Sequence, residues 1–158
     1  MHSPQADLTL KHKAMVYVTW GEQFLVFTQP QFPEAGIQVV AGTVAHGETP
    51  EQAAIRELHE EAGISAVNNI RLLGSYQYSM LRYGKAEVHE RHVFHVQINA
   101  QEVMPANWLH EENHADTGEA AILFSFFWME LHQVQGRLIA GHDDFLPILM
   151  HGYEKNSR

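Results

Sequence analysis

The chain has 158 residues, with 19 Asp and Glu against 10 Lys and Arg, 12 His and no Cys, for a formal net charge of −9. That length supports one domain with its own core, and the 45% hydrophobic content fits a soluble folded chain. The lack of Cys excludes disulfides, thiolate nucleophiles and Cys-ligated zinc, and the acidity argues against a nucleic-acid or anionic-lipid surface.

Met1 to Lys13 is polar, lacks the apolar core of a signal peptide and reads as a flexible N-terminal segment. No apolar run reaches transmembrane length, so cytoplasmic localisation and no membrane contact are the expectations. Ala14 to Trp20 and Phe24 to Thr28 read as strands around a turn at Gly21. Gln29 to Gly36, with Pro30 and Pro33, reads as a loop, and Gln38 to Ala41 as a short extended stretch. Thr43 to Glu48 is a further loop.

Pro50 to Ala62 is the clearest helix. Thr49 suits the N-cap, Pro50 the first helical position, and Gln52 completes a capping box. Gly63 is placed to end it in a left-handed conformation. Ile70 to Tyr78 and Ala86 to Ile98 read as strands joined through residues 82–85. Gln101 to Gly118 shows no period and reads as loop, Ile122 to Met129 as a buried strand. Asp143 to Tyr153 reads as a C-terminal helix that tolerates Pro147 only in its first turn.

The negative charge is concentrated. Gly42 to Ile64 holds five acids against Arg56, and Gln101 to Glu119 holds five acids and no base, while the other 116 residues balance nine acids with nine bases. At 100° per residue, Glu57, Glu60 and Glu61 share an arc of about 100° on the helix, where they repel one another. Ala54, Ile55, Leu58 and Ala62 occupy the adjoining arc, which should face a core. Carboxylates gathered in this way suit Mg²⁺ or Mn²⁺, hard cations with oxygen ligands. Arg56 can reach back to Glu48 and hold the preceding loop.

The string Gly42-x5-Glu48-x7-Arg56-Glu57-Leu58-x-Glu60-Glu61-x-Gly63-Ile64 resembles the Nudix box at every defined position. Composition alone gives a chance match at one start of roughly 10⁻⁹. The resemblance implies an α/β fold, an α/β/α sandwich with a mixed sheet, in a single domain spanning the chain. It implies hydrolysis of a nucleoside diphosphate linked to another moiety, by water attack on a pyrophosphate phosphorus with Mg²⁺ or Mn²⁺. By position, Glu57, Glu60 and Glu61 resemble the family's metal-binding carboxylates, Gly42 would offer its carbonyl, and Glu48 and Arg56 resemble the pair that orders the loop. Glu57 is also the expected residue for orienting or deprotonating water. Val40 and Ala41 depart from the family's frequent Pro-Gly just before Gly42. The family often draws a further catalytic carboxylate from a loop after the central strands. Glu111, Glu112, Asp116 and Glu119 stand there, with Glu112 and Glu119 ranked first. The expected partner is a small-molecule nucleotide, with a homodimer as an assembly to test. A non-catalytic nucleotide-binding module is the alternative reading.

A competing pattern overlaps the same segment. His110-Glu111-Glu112-Asn113-His114 satisfies the H-E-x-x-H zinc-peptidase string, which needs a helix to align both imidazoles. Trp108 reads as packing ahead of base stacking. His89, His92 and His95 look like a ligand cluster, but on a strand His92 faces away from the other two, which lie about 20 Å apart. His46, in the loop before the helix, could meet a phosphate, and His59 reads as an exposed residue.

Overall fold

In the computed structural model, residues 7–65, 67, 69–112 and 121–156 are described. A seven-stranded mixed sheet forms the middle layer. Its strands are β1 (Thr9–Trp20), β2 (Gln23–Thr28), β3 (Val40–Thr43), β4 (Ile70–Ser79), β5 (Glu87–Ile98), β6 (Asn107–Glu112) and β7 (Ile122–Glu130). Helix α1 (Pro50–Ala62) follows β3, and α2 (Leu146–Asn156) lies near the C-terminus. The order across the sheet is β4-β5-β1-β2-β7-β6, with β3 also paired to β1.

Strand β1 organises this sheet. One edge runs parallel to β5 along its whole length, from Thr9 opposite Glu87 to Trp20 opposite Ile98. The other edge is shared: β3 takes Lys13 to Val16, and β2 takes Thr19 and Trp20. Alternation sends Ala14, Val16 and Val18 to one face and Met15 and Tyr17 to the other. On the first face these side chains pack with Ala54, Leu58 and Ala62 of α1. On the second they pack with Leu146 and Leu149 of α2. The result is an α/β/α sandwich with a mixed sheet.

Four expectations need correction. Thr9 to Lys13 are strand and not flexible tail, because β5 supplies their backbone partners; they sit where the sheet outruns the helices, so their side chains carry no apolar pattern. Residues 1–6 lie outside the described residues. Ile55 is exposed and Ala53 takes its place against the core, since α1 is turned slightly from the projected orientation. Within the expected loop at 101–118, Asn107 to Glu112 form an edge strand on β7, from Asn107 opposite Phe127 to Glu112 opposite Ile122. The strand's burial does alternate, but the inward-facing His110 and Glu112 are polar while the outward-facing Leu109 is apolar, so no hydrophobic period marks it. Helix α2 starts at Leu146, with Pro147 in its first turn, and Asp143 instead accepts a hydrogen bond from the Gly136 amide at 2.6 Å.

Candidate active site

Helix α1 begins with a complete capping box. The Thr49 hydroxyl accepts from the Gln52 amide, and the Gln52 side chain accepts from the Thr49 amide. Gly63 closes the helix at φ 75°, ψ 13°, a conformation that costs Gly little. The start and end of α1 are therefore fixed locally, and so is the direction of its acidic face.

Arg56 ties that face to the loop before it. Its Nε and one terminal nitrogen donate to the two Glu48 oxygens at 2.8 and 2.9 Å, a bidentate pair. It also donates to Glu57 at 2.8 Å, to Glu60 at 3.1 Å and to the Thr43 carbonyl at 3.0 Å. The Glu48 carboxylate further accepts from the Ala45 amide at 3.0 Å. These bonds to the charged form hold Glu48 down at about 2, Arg56 first among the causes.

Glu57 and Glu61 point inward and are only 7% and 6% exposed. Glu61 accepts from the Ala41 amide at 3.3 Å. Gly42 lies against Glu57 so closely that a β-carbon there would overlap its carboxyl group. Val40 and Ala41, where the family pattern often has Pro-Gly, are regular β3 residues opposite Val16 and Met15. Burial pushes the Glu57 carboxyl up, with Arg56 opposing and Glu112 and Glu60 adding repulsion. Burial also pushes Glu61 well up, reinforced by the Glu57 and Glu112 charges.

Strand β6 brings in a carboxylate from the second acidic segment. One oxygen each of Glu57, Glu60 and Glu112 lie within 4.8 Å of one another. Trp108 anchors the strand by stacking on Phe126 at 5.2 Å and donating to the Ala62 carbonyl at 3.0 Å. The His110 ring donates to the Glu60 carbonyl at 2.9 Å. Residues 108, 110 and 112 thus face α1, while Glu111 is exposed on the other side. Asp116, Glu119 and His114 lie outside the described residues. His110 to Glu112 being strand removes the helical geometry that a zinc-peptidase site requires.

This donor set fits a divalent cation. It consists of carboxylate oxygens alone, two of them buried and crowded enough to disfavour their charged forms, which a hard cation would relieve. Several of the described His residues serve elsewhere. His89 bonds Glu87 at 2.9 Å, His95 bonds Thr19 at 2.7 Å, and His92 bonds Ser75 at 2.8 Å from the opposite face. His142 accepts from the Val39 amide at 3.1 Å.

A cleft of about 410 Å³ opens on the other side of Gly42. Lys13, Lys85 and Arg91 line it, together with the side chains of Met80 and Tyr83. The sequence reading missed these residues, which come from β1, the β4–β5 turn and β5. No local spacing relates them; only the parallel β1–β5 register, Lys13 opposite Arg91, brings two of them together.

A mixed sheet between two helical layers, one of them a capped acidic helix, defines an α/β/α protein built around a loop–helix carboxylate site. A family model described as the NUDIX domain matches residues 10–149, and the chain belongs to the Nudix family. It is 34% identical over 82 residues to an NAD-capped RNA hydrolase, NudC, of Pseudomonas aeruginosa, a match covering 49% of this chain and 29% of that protein. It is 41% identical over 63 residues to an RNA pyrophosphohydrolase of Blochmanniella pennsylvanica, covering 40% of this chain and 35% of the relative. The matched region thus spans about a third of the length of these curated relatives. Among solved structures, a NUDIX hydrolase from Nitrosomonas europaea superposes with a TM-score of 0.62 at 17% identity, over 95% of this chain and 92% of that one. A MutT NUDIX hydrolase from Burkholderia pseudomallei gives 0.61 at 18% identity, over 89% and 98%. These likenesses concern the fold. No helix among the described residues is long and apolar enough to cross a membrane.

Proposed function

We propose that this chain hydrolyses the pyrophosphate link of a nucleoside diphosphate joined to another moiety, in the presence of Mg²⁺ or Mn²⁺. The observation that carries this reading is the approach of Glu112, from a separate strand, to Glu57 and Glu60 of the box helix. Glu57, Glu60, Glu61 and Glu112, with the Gly42 carbonyl, are the groups that would hold the cations. Such cations neutralise polyphosphate charge and make a water easier to deprotonate at neutral pH.

The chain's own residues supply positioning and proton transfer. Arg56 fixes the loop through Glu48 and Thr43 and orients one oxygen of Glu57. Glu57 or Glu112 takes a proton from the attacking water as its oxygen bonds to phosphorus. The bridging P–O bond breaks, and the departing phosphate keeps the electron pair. Glu119 remains a candidate for the same role. The reading extends to a single domain, a cytoplasmic location and a small-molecule substrate, with homodimerisation open to light scattering.

The test is a phosphate-release screen with Mg²⁺ and Mn²⁺ over ADP-ribose, dinucleoside polyphosphates, nucleotide sugars and nucleoside triphosphates. RNAs carrying 5′-triphosphate or NAD ends belong in it, because the relatives' names concern RNA. Turnover of a small nucleotide that Glu61→Gln abolishes supports the reading. Turnover confined to RNA ends would overturn the small-molecule part. No turnover of any compound would favour a non-catalytic binding module.

A further inference from the structure

We propose that Lys13, Lys85 and Arg91 form an anion-binding subsite in the cleft beside Gly42, which takes the charged group of the substrate that faces away from the carboxylates. This rests on the hydrolase reading for the role of the cleft, but not for its capacity to bind anions.

Arg91 provides the main observation. It is 3% exposed, yet no carboxylate pairs with it among the described residues. Its partners are neutral: one terminal nitrogen donates to the Tyr76 hydroxyl at 3.0 Å and to the Ala140 carbonyl at 2.7 Å. The guanidinium carbon lies 3.9 Å from the Tyr78 ring centroid. These contacts fix the plane of the group; Asp144 acts on the shared Tyr76 hydroxyl but makes no ion pair with the guanidinium. A buried cation with no directly paired carboxylate is costly, and an anion bound against it would relieve that cost. The other guanidinium nitrogens have no hydrogen-bond partner among the described residues, and no side-chain nitrogen or oxygen there is both sealed from solvent and unpartnered. Arg91 therefore keeps free donors reachable from the cleft that it lines.

The surrounding charge points the same way. No acid lines the cleft among the described residues, although acids outnumber bases 19 to 10 in the chain. Lys13 donates to the Thr43 hydroxyl at 2.6 Å and, like Lys85, makes no ion pair there, whereas Lys11 outside the cleft is paired with Glu87 at 3.0 Å. Gly42 both lines the cleft and abuts Glu57. An anionic group held by the three cations would therefore be adjacent to a linkage facing the carboxylates, with Met80 and Tyr83 available to an apolar or aromatic portion.

The experiment measures binding of ADP, inorganic pyrophosphate and adenosine by calorimetry in EDTA, so that no divalent ion contributes. The full chain should bind ADP and pyrophosphate, and adenosine at least about tenfold more weakly. Lys85→Gln, on an exposed turn, and Arg91→Met should each weaken ADP binding by roughly tenfold, with Arg91→Lys partly restoring it. Glu61→Gln should retain the binding. If adenosine binds as well as ADP, if the full chain binds neither anion, or if folded Lys85→Gln and Lys13→Gln bind ADP unchanged, the subsite is wrong. Those results leave the hydrolase reading intact. Conversely, full turnover by Glu57→Gln and Glu61→Gln would end that reading while leaving the EDTA measurement valid.

Discussion

The carboxyl group of Glu57 occupies the space in which any residue but glycine would place a β-carbon at position 42. Gly42 is a paired β3 residue, opposite Ala14, so its lack of a side chain serves proximity and not a turn. Gly42→Ala should displace the Glu57 carboxyl and loosen the β3–α1 contact. We expect a loss of roughly tenfold or more in turnover, and destabilisation of about 1–3 kcal/mol from overpacking. A Mg²⁺ titration of turnover with a parallel thermal melt checks this, and normal turnover would contradict the close contact.

Glu111 and Glu112 are neighbours on β6 that face opposite ways. Glu112→Gln should raise the Mg²⁺ concentration needed for half-maximal turnover and cut the maximal rate by about a hundredfold. Glu111→Gln should behave as the parent. Equal effects of the two would mean that the strand does not deliver one carboxylate selectively.

Burial raises both Glu57 and Glu61, so the folded chain without a divalent ion holds their protons more tightly than the unfolded chain does. Its stability is full below the ordinary carboxylate range near 4.5 in this respect, and declines as pH rises through the raised values. Cation binding displaces those protons. The gain in melting temperature from saturating Mg²⁺ should therefore grow as pH rises from about 4.5 toward neutrality. Glu61→Gln should reduce both the gain and its slope. A gain independent of pH would place the cation away from these groups.

Two buried imidazoles produce the opposite trend at the acid end. Burial holds His95 down to about 4 and His142 down to about 3, from an ordinary 6.5. The unfolded chain binds protons at these sites first. Their contribution is complete above pH 6.5 and is lost as pH falls toward 4 and then 3. Urea midpoints at pH 7.5 and 5 should differ accordingly, and His95→Gln should narrow the difference. The effect is common to the metal-free and metal-loaded forms, so it cancels in the preceding comparison.

Much of this architecture was legible where local chemistry dictates it. The capping box, Pro50 and Gly63 bounded α1 correctly at both ends, and the fold expected from the box is the one observed. The bidentate Arg56–Glu48 pair follows from residues only eight apart. Long-range pairing was hidden. Asn107 to Glu112 became a strand through β7 and through Trp108, neither of which leaves a periodic mark on a polar segment. Thr9 to Lys13 gained order from β5, and the cationic cleft depends on the same register. Sequence spacing could nominate Glu112 but had no means to place it beside Glu57.

The parallel pairing of β1 with β5 joins segments about 80 residues apart along the chain. Closing so large a loop is entropically slow, and parallel ladders are not rewarded until it closes. Helix α1, capped at both ends by its own residues, can form early, whereas the alignment of Lys13 with Arg91 must await the late β1–β5 docking. The helical part of the carboxylate face should thus be ordered before the cationic cleft, while Glu112 joins it only when β6 docks on β7.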